Sequence, residues 1–415
     1  MSGMKIEINQ SRLQSEIDEL SLITEAEPPV VTRVVFSSAD LRARAWLVTK
    51  CREAQLRIRT DAVGNIFARW PGTDPAAPAV GTGSHIDAIP NAGKYDGVVG
   101  VLGGLEAIRA LQSANFHPKS SIELLVFTSE EPTRFGVGCL GSRLLSGALS
   151  PQAASQLTDD HGDSLDVVRR TANFSGELAS VKLPSGYYQA FVELHIEQGP
   201  ILEQRKIPLG LVQKIAAPAS AKILIEGSGG HSGGVLMPDR KDALCTAAEL
   251  VLAVESAAHE TEAPDTVATV GICEVFPGAV NSIPSRVRLS LDVRDTDLVR
   301  RDSVLQRIAE ATNKIASKRA VSIRTDLLNA DAPADCSPLV TQAVADSCRA
   351  RAIPFLDMVS RAYHDSLFMS RIAPTGMLFI PCRNGWSHRP DEYASPEDIA
   401  RGALILAEAI ARLAA

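Results

Sequence analysis

The residues best suited to chemistry lie in short segments that follow apolar runs. The segment GTGSHIDAIPNAGKYDG supplies His85, Asp87 and Asp96 after a short apolar run. A strand that ends in His-x-Asp places both side chains on one face, because side chains alternate along a strand. A second apolar run, residues 122–128, ends in a Glu-Glu pair, residues 130–131. Both strand ends therefore carry groups able to bind cations or move protons.

Two further histidines stand in polar, glycine-containing segments, ELHIEQG and GWSHRP. Imidazole nitrogens and carboxylate oxygens are the ligands that a pair of divalent transition metals needs, with one carboxylate free to bridge the two ions. The pattern predicts a two-metal hydrolase whose candidate ligands are His85, Asp96, Glu131, His195 and His388.

Each of these residues also fits a structural explanation when it is taken alone. A single histidine near a strand end is more often a hydrogen-bonded core or surface residue, and a Glu-Glu pair is more often solvated helix surface. The joint occurrence of carboxylates and histidines after apolar runs, with glycines beside nearly all of them, favours the metal site.

A family resemblance covers the chain from about residue 60 to about residue 400. The motifs GSHID, YDG, FTSEEPTRFG, ELHIEQGP, GGHSG, NSIP, DVRD and WSHRP resemble, in this order, those of the metal-dependent amidohydrolases of the hydantoinase/carbamoylase group, relatives of carboxypeptidase G and aminoacylase. The longer runs GSHIDAIPNAGKYDGVVGVLG and SRAYHDSLFMSRIAPTGMLFIPC are most similar to the members of this group that act on ureidoglycolate.

The resemblance implies two divalent metal ions per chain. Asp96 would bridge them, Glu131 and His388 would complete one site, and His85 and His195 the other. The ligand types do not choose among Mn, Zn, Co and Ni, and the resemblance favours Mn.

The resemblance also implies the roles of the other site residues. Glu130 would be the general base and acid that takes a proton from water and passes it to the leaving nitrogen. Asp87 would orient the His85 imidazole. In GGHSG, His231 would stabilise the tetrahedral oxyanion across a dimer. The implied substrate contacts are Gln198, Asn281, Arg294 and His364, with Arg294 holding the substrate carboxylate by two hydrogen bonds. A cis peptide bond is expected between Asp96 and Gly97.

The order of elements predicts two domains, as the length of 415 residues also suggests. A strand–helix–strand rhythm predicts an α/β domain with a mixed, mostly parallel sheet flanked by helices, which fits the metallopeptidase-like catalytic domain that the resemblance implies. From Lys214 the order strand, helix, strand, strand, helix, strand predicts an α+β ferredoxin-like domain. We therefore expect a catalytic domain of residues 1–213 and 326–415, and an inserted dimerisation (lid) domain of residues 214–325.

Composition describes an ordinary soluble protein, with 45% hydrophobic and 22% charged residues. The net charge of −7 argues against nucleic acid or an anionic membrane as a partner. Seven cysteines, an odd number without a CxxC pair, predict reduced thiols and a cytoplasmic location. The first residues show no apolar signal core, and no apolar run is long enough to cross a membrane.

The function implied by the resemblance is hydrolysis of the ureido C–N bond of a small anionic acid, namely ureidoglycolate to glyoxylate, ammonia and carbon dioxide. The enzyme alternatives are an N-carbamoyl-L-amino-acid hydrolase and an allantoate amidohydrolase. A peptidase of the same fold is disfavoured, because such peptidases tend to carry a carboxylate where His195 stands. A catalytically inactive binding protein is disfavoured because Glu130 and the full ligand set are present.

Overall fold

The computed structural model describes residues 5–415. The chain forms two compact units. The first comprises the chain up to Gln213 together with Asp335–Ser360 and His364–Ala415, and the second comprises Lys214–Ala334 and Arg361–Tyr363.

The strands are β1 (Val31–Arg33), β2 (Arg57–Thr60), β3 (Ile66–Trp70), β4 (Ala79–His85), β5 (Ala88–Ala92), β6 (Ile122–Phe127), β7 (Tyr188–Ile196), β8 (Gly210–Ile215), β9 (Ala217–Glu226), β10 (Gly230–His231), β11 (Val267–Thr269), β12 (Cys273–Phe276), β13 (Ser282–Ile283), β14 (Arg286–Asp295), β15 (Ser322–Ala330), β16 (Ala334–Asp335), β17 (Leu356–Ser360) and β18 (Thr375–Ile380). The α-helices are α1 (Gln10–Ser21), α2 (Ser38–Glu53), α3 (Val98–Ser113), α4 (Leu140–Ser146), α5 (Pro151–Ser155), α6 (Leu165–Thr171), α7 (Ile201–Arg205), α8 (Ala243–His259), α9 (Leu298–Arg319), α10 (Pro338–Ala350), α11 (Asp365–Met369) and α12 (Pro396–Leu413).

A nine-stranded sheet forms the centre of the first unit, in the order β16-β8-β18-β7-β4-β6-β3-β2, with β17 also paired to β8. The four central strands, β18, β7, β4 and β6, run parallel to one another. The outer pairs β8–β18, β3–β6 and β2–β3 are antiparallel. The predicted mixed sheet flanked by helices is confirmed, and its parallel pairing lies in the centre, where helical crossovers join the strands.

Both faces of this sheet are covered, so its central strands are apolar on both sides. In β6, Ile122, Leu124 and Val126 join a core with α1, α2, α3, α10 and α12. The alternating residues Leu125 and Phe127 join a second core with α4, α5, α6 and α11.

Helix α3 packs closely against the sheet, and its small residues allow this approach. A Cβ on Gly100 would lie 2.4 Å from the carbonyl oxygen of Leu194 in β7. Only glycine allows the helix backbone to approach the strand this closely.

The second unit contains a five-stranded antiparallel sheet in the order β11-β14-β9-β15, with β12 also paired to β14. Its core consists of alternate residues of β9 and β14 packed against α8 and α9. The first of the two strands predicted between the helices of this domain is divided into two short strands, β11 and β12.

The predicted boundary at residue 325 lies too early in the chain. Strand β15 continues to Ala330 and the second unit to Ala334. Most side chains of β15 are exposed, and its register shifts between Leu327 and Asn329, so the strand lacks an alternating apolar pattern. The three residues Arg361–Tyr363 also belong to the second unit, and nothing in their composition indicates this.

Across residues 5–415, none of the helices has the length and apolarity that crossing a membrane requires. All seven cysteines are free thiols.

Candidate active site

The site lies at the carboxyl ends of the parallel strands in the first unit. His85 is the last residue of β4, and His195 is next to the last residue of β7. Glu130 and Glu131 follow β6, and His388 lies beyond the end of β18. Because the carboxyl ends of parallel strands meet at one edge of a sheet, these distant segments come together there.

Asp96 stands between two groups of candidate ligands. Its Oδ1 atom lies 3.2 Å from Nε2 of His195 and 3.8 Å from Nε2 of His85. Its Oδ2 atom lies 3.2 Å from Nε2 of His388, and that nitrogen lies 3.4 Å from Oε1 of Glu131. One carboxylate therefore presents a separate oxygen to each group, as a bridging ligand must.

The two buried imidazoles are oriented by backbone carbonyls. Nδ1 of His85 lies 3.0 Å from the carbonyl oxygen of Asp87, and Nδ1 of His195 lies 3.0 Å from that of Ile196. A carbonyl accepts but cannot donate, so each Nδ1 carries a proton, and in the neutral form of each ring Nε2 presents a lone pair. Neutral imidazoles that present Nε2 beside shared carboxylates fit divalent transition metals.

Asp87 acts on two parts of the site. Its carbonyl oxygen orients His85, whereas its carboxylate lies 3.8 Å from the same Nδ1. The carboxylate oxygens accept hydrogen bonds from the backbone N–H groups of Glu130 (3.3 Å) and Glu131 (3.1 Å). Asp87 therefore fixes the segment that carries both glutamates, a contact that its position beside His85 did not predict.

The expected cis peptide between Asp96 and Gly97 is wrong. The cis bonds among residues 5–415 are Pro28–Pro29 and Phe276–Pro277, so the Asp96–Gly97 bond is trans. A cis bond before a residue other than proline costs about 2.5–4 kcal/mol. Gly97 makes the turn into α3 with a φ of +66° instead, which needs no cis bond.

Replacement of Gly97 by alanine is expected to displace His85 and reduce metal binding. A Cβ at this position would lie 2.5 Å from Nε2 of His85, in addition to the cost of the positive φ. Metal content measured by mass spectrometry after equilibration with Mn checks this.

The control is Gly186→Ala, which has a comparable φ of +77° and no atom within 4 Å of the added Cβ. Equal metal content in the two variants would contradict the expectation.

Glu130 is buried beside the first group of ligands. Its Oε2 atom lies 3.7 Å from Nε2 of His85, and the Cys139 thiol lies 3.5 Å from Oε1. Burial, followed by the charges of Glu131, Asp365, Asp96 and Asp87, raises the pKa of Glu130 well above its usual range. A carboxyl with a raised pKa can hold a proton during a reaction.

The pKa values of four other site groups are also shifted, because charged groups are buried close together there. Burial raises the pKa of Glu131 to about 8, and burial lowers the pKa of His85 to about 4. The hydrogen bond to Asp96 raises the pKa of His388 to about 9. Burial opposes protonation of His195, but Asp96 outweighs it and raises that pKa to about 9. Crowded carboxylates that lack enough positive charge are a setting in which cations are strongly favoured.

Two of the predicted substrate residues lie against the ligands in the first unit. The Gln198 amide nitrogen donates to Oδ2 of Asp96 at 2.7 Å, and its Oε1 is buried without a protein partner. The His364 ring centre lies 4.5 Å from that of His195, and its Nε2 lies 2.9 Å from the Ser360 hydroxyl.

The other three predicted residues lie in the second unit. His231 is exposed, and its Nδ1 accepts a hydrogen bond from the backbone N–H of Gly233 at 3.1 Å. The carbonyl of Asn281 accepts from the backbone N–H of Ser232, next to His231, at 2.9 Å. Nε of Arg294 donates to Oδ1 of Asp292 at 2.7 Å.

Several polar residues around the site, most of them buried, were not predicted. Glu193, two residues before His195 in β7, accepts hydrogen bonds from the hydroxyls of Ser84 and Ser366, both at 2.6 Å. A lone charge within an apolar strand was a usable signal for it. Ser387 and Glu392 flank His388 and contact Asp96 or its backbone. Cys139 and Asp365 had no such signal; the latter lies beside His364 and accepts from Ser142.

Comparisons with known proteins agree on one family. The family model described as Peptidase family M20/M25/M40 matches residues 81–412. Ureidoglycolate hydrolase of Arabidopsis thaliana is 50% identical over 98% of this chain and 87% of its own length. N-carbamoyl-L-amino-acid amidohydrolase of Pseudomonas sp. (strain NS671) is 35% identical over 98% of each protein.

Solved structures match over the same extent. AtUAH in complex with (S)-hydroxyglycine has a TM-score of 0.93 at 50% identity, covering 99% of this chain and 98% of that one. A hydantoinase/carbamoylase family amidase from Burkholderia vietnamiensis has a TM-score of 0.93 at 30% identity, with coverage of 99% and 98%. The family and the grouped His, Asp and Glu donors are consistent with divalent metal binding. The chain belongs to the M20/M25/M40 peptidase family.

Proposed function

We propose that this chain hydrolyses the ureido C–N bond of ureidoglycolate, yielding glyoxylate, ammonia and carbon dioxide. The observation that carries the proposed chemistry is Asp96, whose two carboxylate oxygens face two separate ligand groups beside Glu130. The choice of substrate follows the 50% identity to ureidoglycolate hydrolase. The AtUAH ligands also fit, since (S)-hydroxyglycine is ureidoglycolate without its carbamoyl group, and glyoxylate remains after ammonia leaves it.

Two divalent ions would be held in this centre. His85, His195 and Oδ1 of Asp96 would form one site, and Glu131, His388 and Oδ2 of Asp96 the other. When bound, the ions lower the pKa of water and polarise the ureido carbonyl. Mn is the proposed metal, and Zn, Co and Ni share the same ligand preferences.

Glu130 would act as the proton carrier. Its carboxylate accepts a proton from the attacking water and later donates it to the leaving nitrogen. Asp87 holds the Glu130 backbone in place through its carboxylate, and the Cys139 thiol contacts the opposite oxygen of Glu130. Burial excludes bulk water, which would otherwise exchange that proton before the nitrogen leaves.

The charge of the centre suits an anionic substrate. The four positive charges of two divalent ions exceed the two negative charges of the carboxylate ligands Asp96 and Glu131. Because the imidazole of His195 is neutral, the centre is one unit more positive than it would be with a carboxylate at that position. In the second unit, Arg294 and Asn281 would bind the substrate carboxylate and His231 the oxyanion. Nε and one Nη of Arg294 donate hydrogen bonds to Asp292, so a substrate carboxylate would compete with Asp292 for this guanidinium.

The second candidate is hydrolysis of N-carbamoyl-L-amino acids, favoured by the 35% identity to such an enzyme. An allantoate amidohydrolase is a further alternative, since a probable allantoate deiminase of Oryza sativa subsp. japonica is 30% identical over 97% of this chain. The ligand geometry is the same for all three substrates, so the substrate screen separates them.

The test is release of ammonia by the Mn-loaded protein from ureidoglycolate, allantoate and several N-carbamoyl amino acids. We expect the highest rate with ureidoglycolate and loss of that rate after chelation, with recovery on adding Mn. No ammonia from any of these compounds, from protein shown to contain two metal ions, would refute the proposed function.

We also propose a homodimer formed through the second unit, in which His231 serves the site of the partner subunit. The segments around His231 and Asn281 carry exposed apolar side chains, namely those of Leu236, Met237 and Val280. Such side chains are typical of surfaces that a partner covers.

The seven free thiols suit the proposed cytoplasmic location.

Mixing two inactive variants is expected to restore activity if this arrangement is right. In a His231→Ala/Glu130→Gln heterodimer, one site receives His231 from the second chain and keeps its own Glu130. Random exchange should return about a quarter of wild-type ammonia release. Light scattering checks the dimer. A monomer with full activity, or no recovery in a mixture shown to contain heterodimers, would contradict the proposal.

A further inference from the structure

Glu392 joins the two segments that carry Asp96 and His388. Its carboxylate is buried, and Oε1 accepts hydrogen bonds from the backbone N–H groups of Tyr95 at 2.7 Å and Asp96 at 3.1 Å. Its Oε2 accepts from the hydroxyl of Ser387 at 3.0 Å. The residue next to His388 is thereby tied to the backbone that precedes α3.

Ser387 extends this link to the side chain of Asp96. Its hydroxyl lies 2.7 Å from Oδ2 of Asp96, and the amide of Gln198 donates to the same oxygen at 2.7 Å. Oδ2 is the oxygen that faces His388, whereas Oδ1 faces His85 and His195. The Ser387–Glu392 link therefore acts on one half of the centre.

The two halves also differ in how their histidines are held. The side chains of His85 and His195 are 3% and 1% exposed, on or at the end of central strands, with Nδ1 on a backbone carbonyl. The side chain of His388 is 48% exposed, and the residue lies outside every helix and strand with a φ of +58°. No regular element fixes His388, so its position depends on local links.

We infer that Ser387 and Glu392 are positioning residues that hold Asp96 and His388 together and so determine metal affinity in the Glu131–His388 half of the centre. This inference rests on the proposed metal-dependent function and adds that the two metal sites differ in affinity. The metal between Glu131 and His388 is the weaker and more readily exchanged of the two. The His85–His195 half keeps its metal when the link is broken.

The test compares Mn binding by the wild-type protein, Glu392→Ala and Glu392→Gln, measured by equilibrium dialysis and by electron paramagnetic resonance. Glu392→Ala removes the link, and the Kd of the weaker metal should rise about 10–100-fold, the usual effect of losing a residue that orients a ligand. The tighter Kd should stay unchanged, and the spectrum should change from a coupled pair to a single Mn ion.

Glu392→Gln should bind both ions with wild-type affinity. Its amide oxygen can still accept from both backbone N–H groups, and its amide nitrogen can donate to the Ser387 hydroxyl, whose proton then goes to Asp96. This rescue separates the hydrogen-bonding role of Glu392 from its charge.

Ser387→Ala breaks the same link without removing the acceptor of the backbone N–H groups, and it decides the matter if Glu392→Ala does not fold. Ser387→Ala should also weaken binding only of the metal between Glu131 and His388. Two unchanged affinities in a folded variant, or equal weakening of both sites, would overturn the inference. A wild-type protein that binds none of Mn, Zn, Co and Ni would reject the proposed function and the inference with it.

Discussion

Glu130→Gln is expected to keep both metal ions and to lose most turnover. Glutamine preserves the size of the side chain and can still accept a hydrogen bond from the Cys139 thiol at Oε1, but it cannot carry a proton from water to the leaving nitrogen. Removal of a general base and acid typically lowers the rate by about 10²–10⁴. The measurement is kcat for ammonia release beside the metal content of the same sample.

Glu177→Gln is the matched control, because Glu177 is exposed and lies in the same unit. It should retain wild-type kcat. A Glu130→Gln variant that keeps more than about a tenth of wild-type kcat would assign the base to another residue. Loss of metal from that variant would instead place Glu130 among the ligands.

We expect kcat/KM for ureidoglycolate to exceed that for N-carbamoylglycine by a large factor. The two molecules differ only in the hydroxyl on the α-carbon, so the comparison isolates the recognition of that group. A site built to bond a substrate hydroxyl discriminates against the analogue without it by about 10⁴–10⁵, because its own polar groups are left unpaired. Candidates to bind the hydroxyl are His364, Tyr363 and Asn281.

The substrate series includes N-carbamoylalanine and allantoate, for which we expect little activity. N-carbamoylalanine carries an apolar group where ureidoglycolate carries its hydroxyl, and allantoate carries a second ureido group. A preference for any N-carbamoyl amino acid with an apolar side chain would assign the chain to the carbamoylase function. The roles proposed for Glu130 and the metal ligands would not change.

The grouping of the candidate ligands could be predicted from the sequence, because both the residue types and the positions of the strand ends pointed to the same segments. Residue types indicated the candidate ligands, and apolar runs before His85 and Glu130 located the ends of buried parallel strands. The carboxyl ends of such strands share one edge, so segments far apart in the chain meet without further information. The sheet flanked by helices followed from the strand–helix–strand order of the same apolar runs.

What sequence did not reveal depends on backbone geometry. The Asp96–Gly97 bond was expected to be cis, yet a positive φ at Gly97 makes the turn with a trans bond. Asp87 was expected to orient His85, but the direction of its carboxylate toward the Glu130 and Glu131 backbone depends on how two loops approach. The extent of β15 was missed because an exposed edge strand needs no apolar alternation.

The hydrogen bond between Glu392 and the backbone of Tyr95 joins residues 297 positions apart. During synthesis on the ribosome, the segment with Asp96 emerges long before the one with His388 and Glu392. Domains generally fold as units, and the first unit needs β18 beside β7 and α12 in its core, so neither ligand group is held in place until the last part of the chain has emerged. Metal loading would then follow completion of the whole chain, and a chain that ends before residue 388 should not retain a metal ion in this centre.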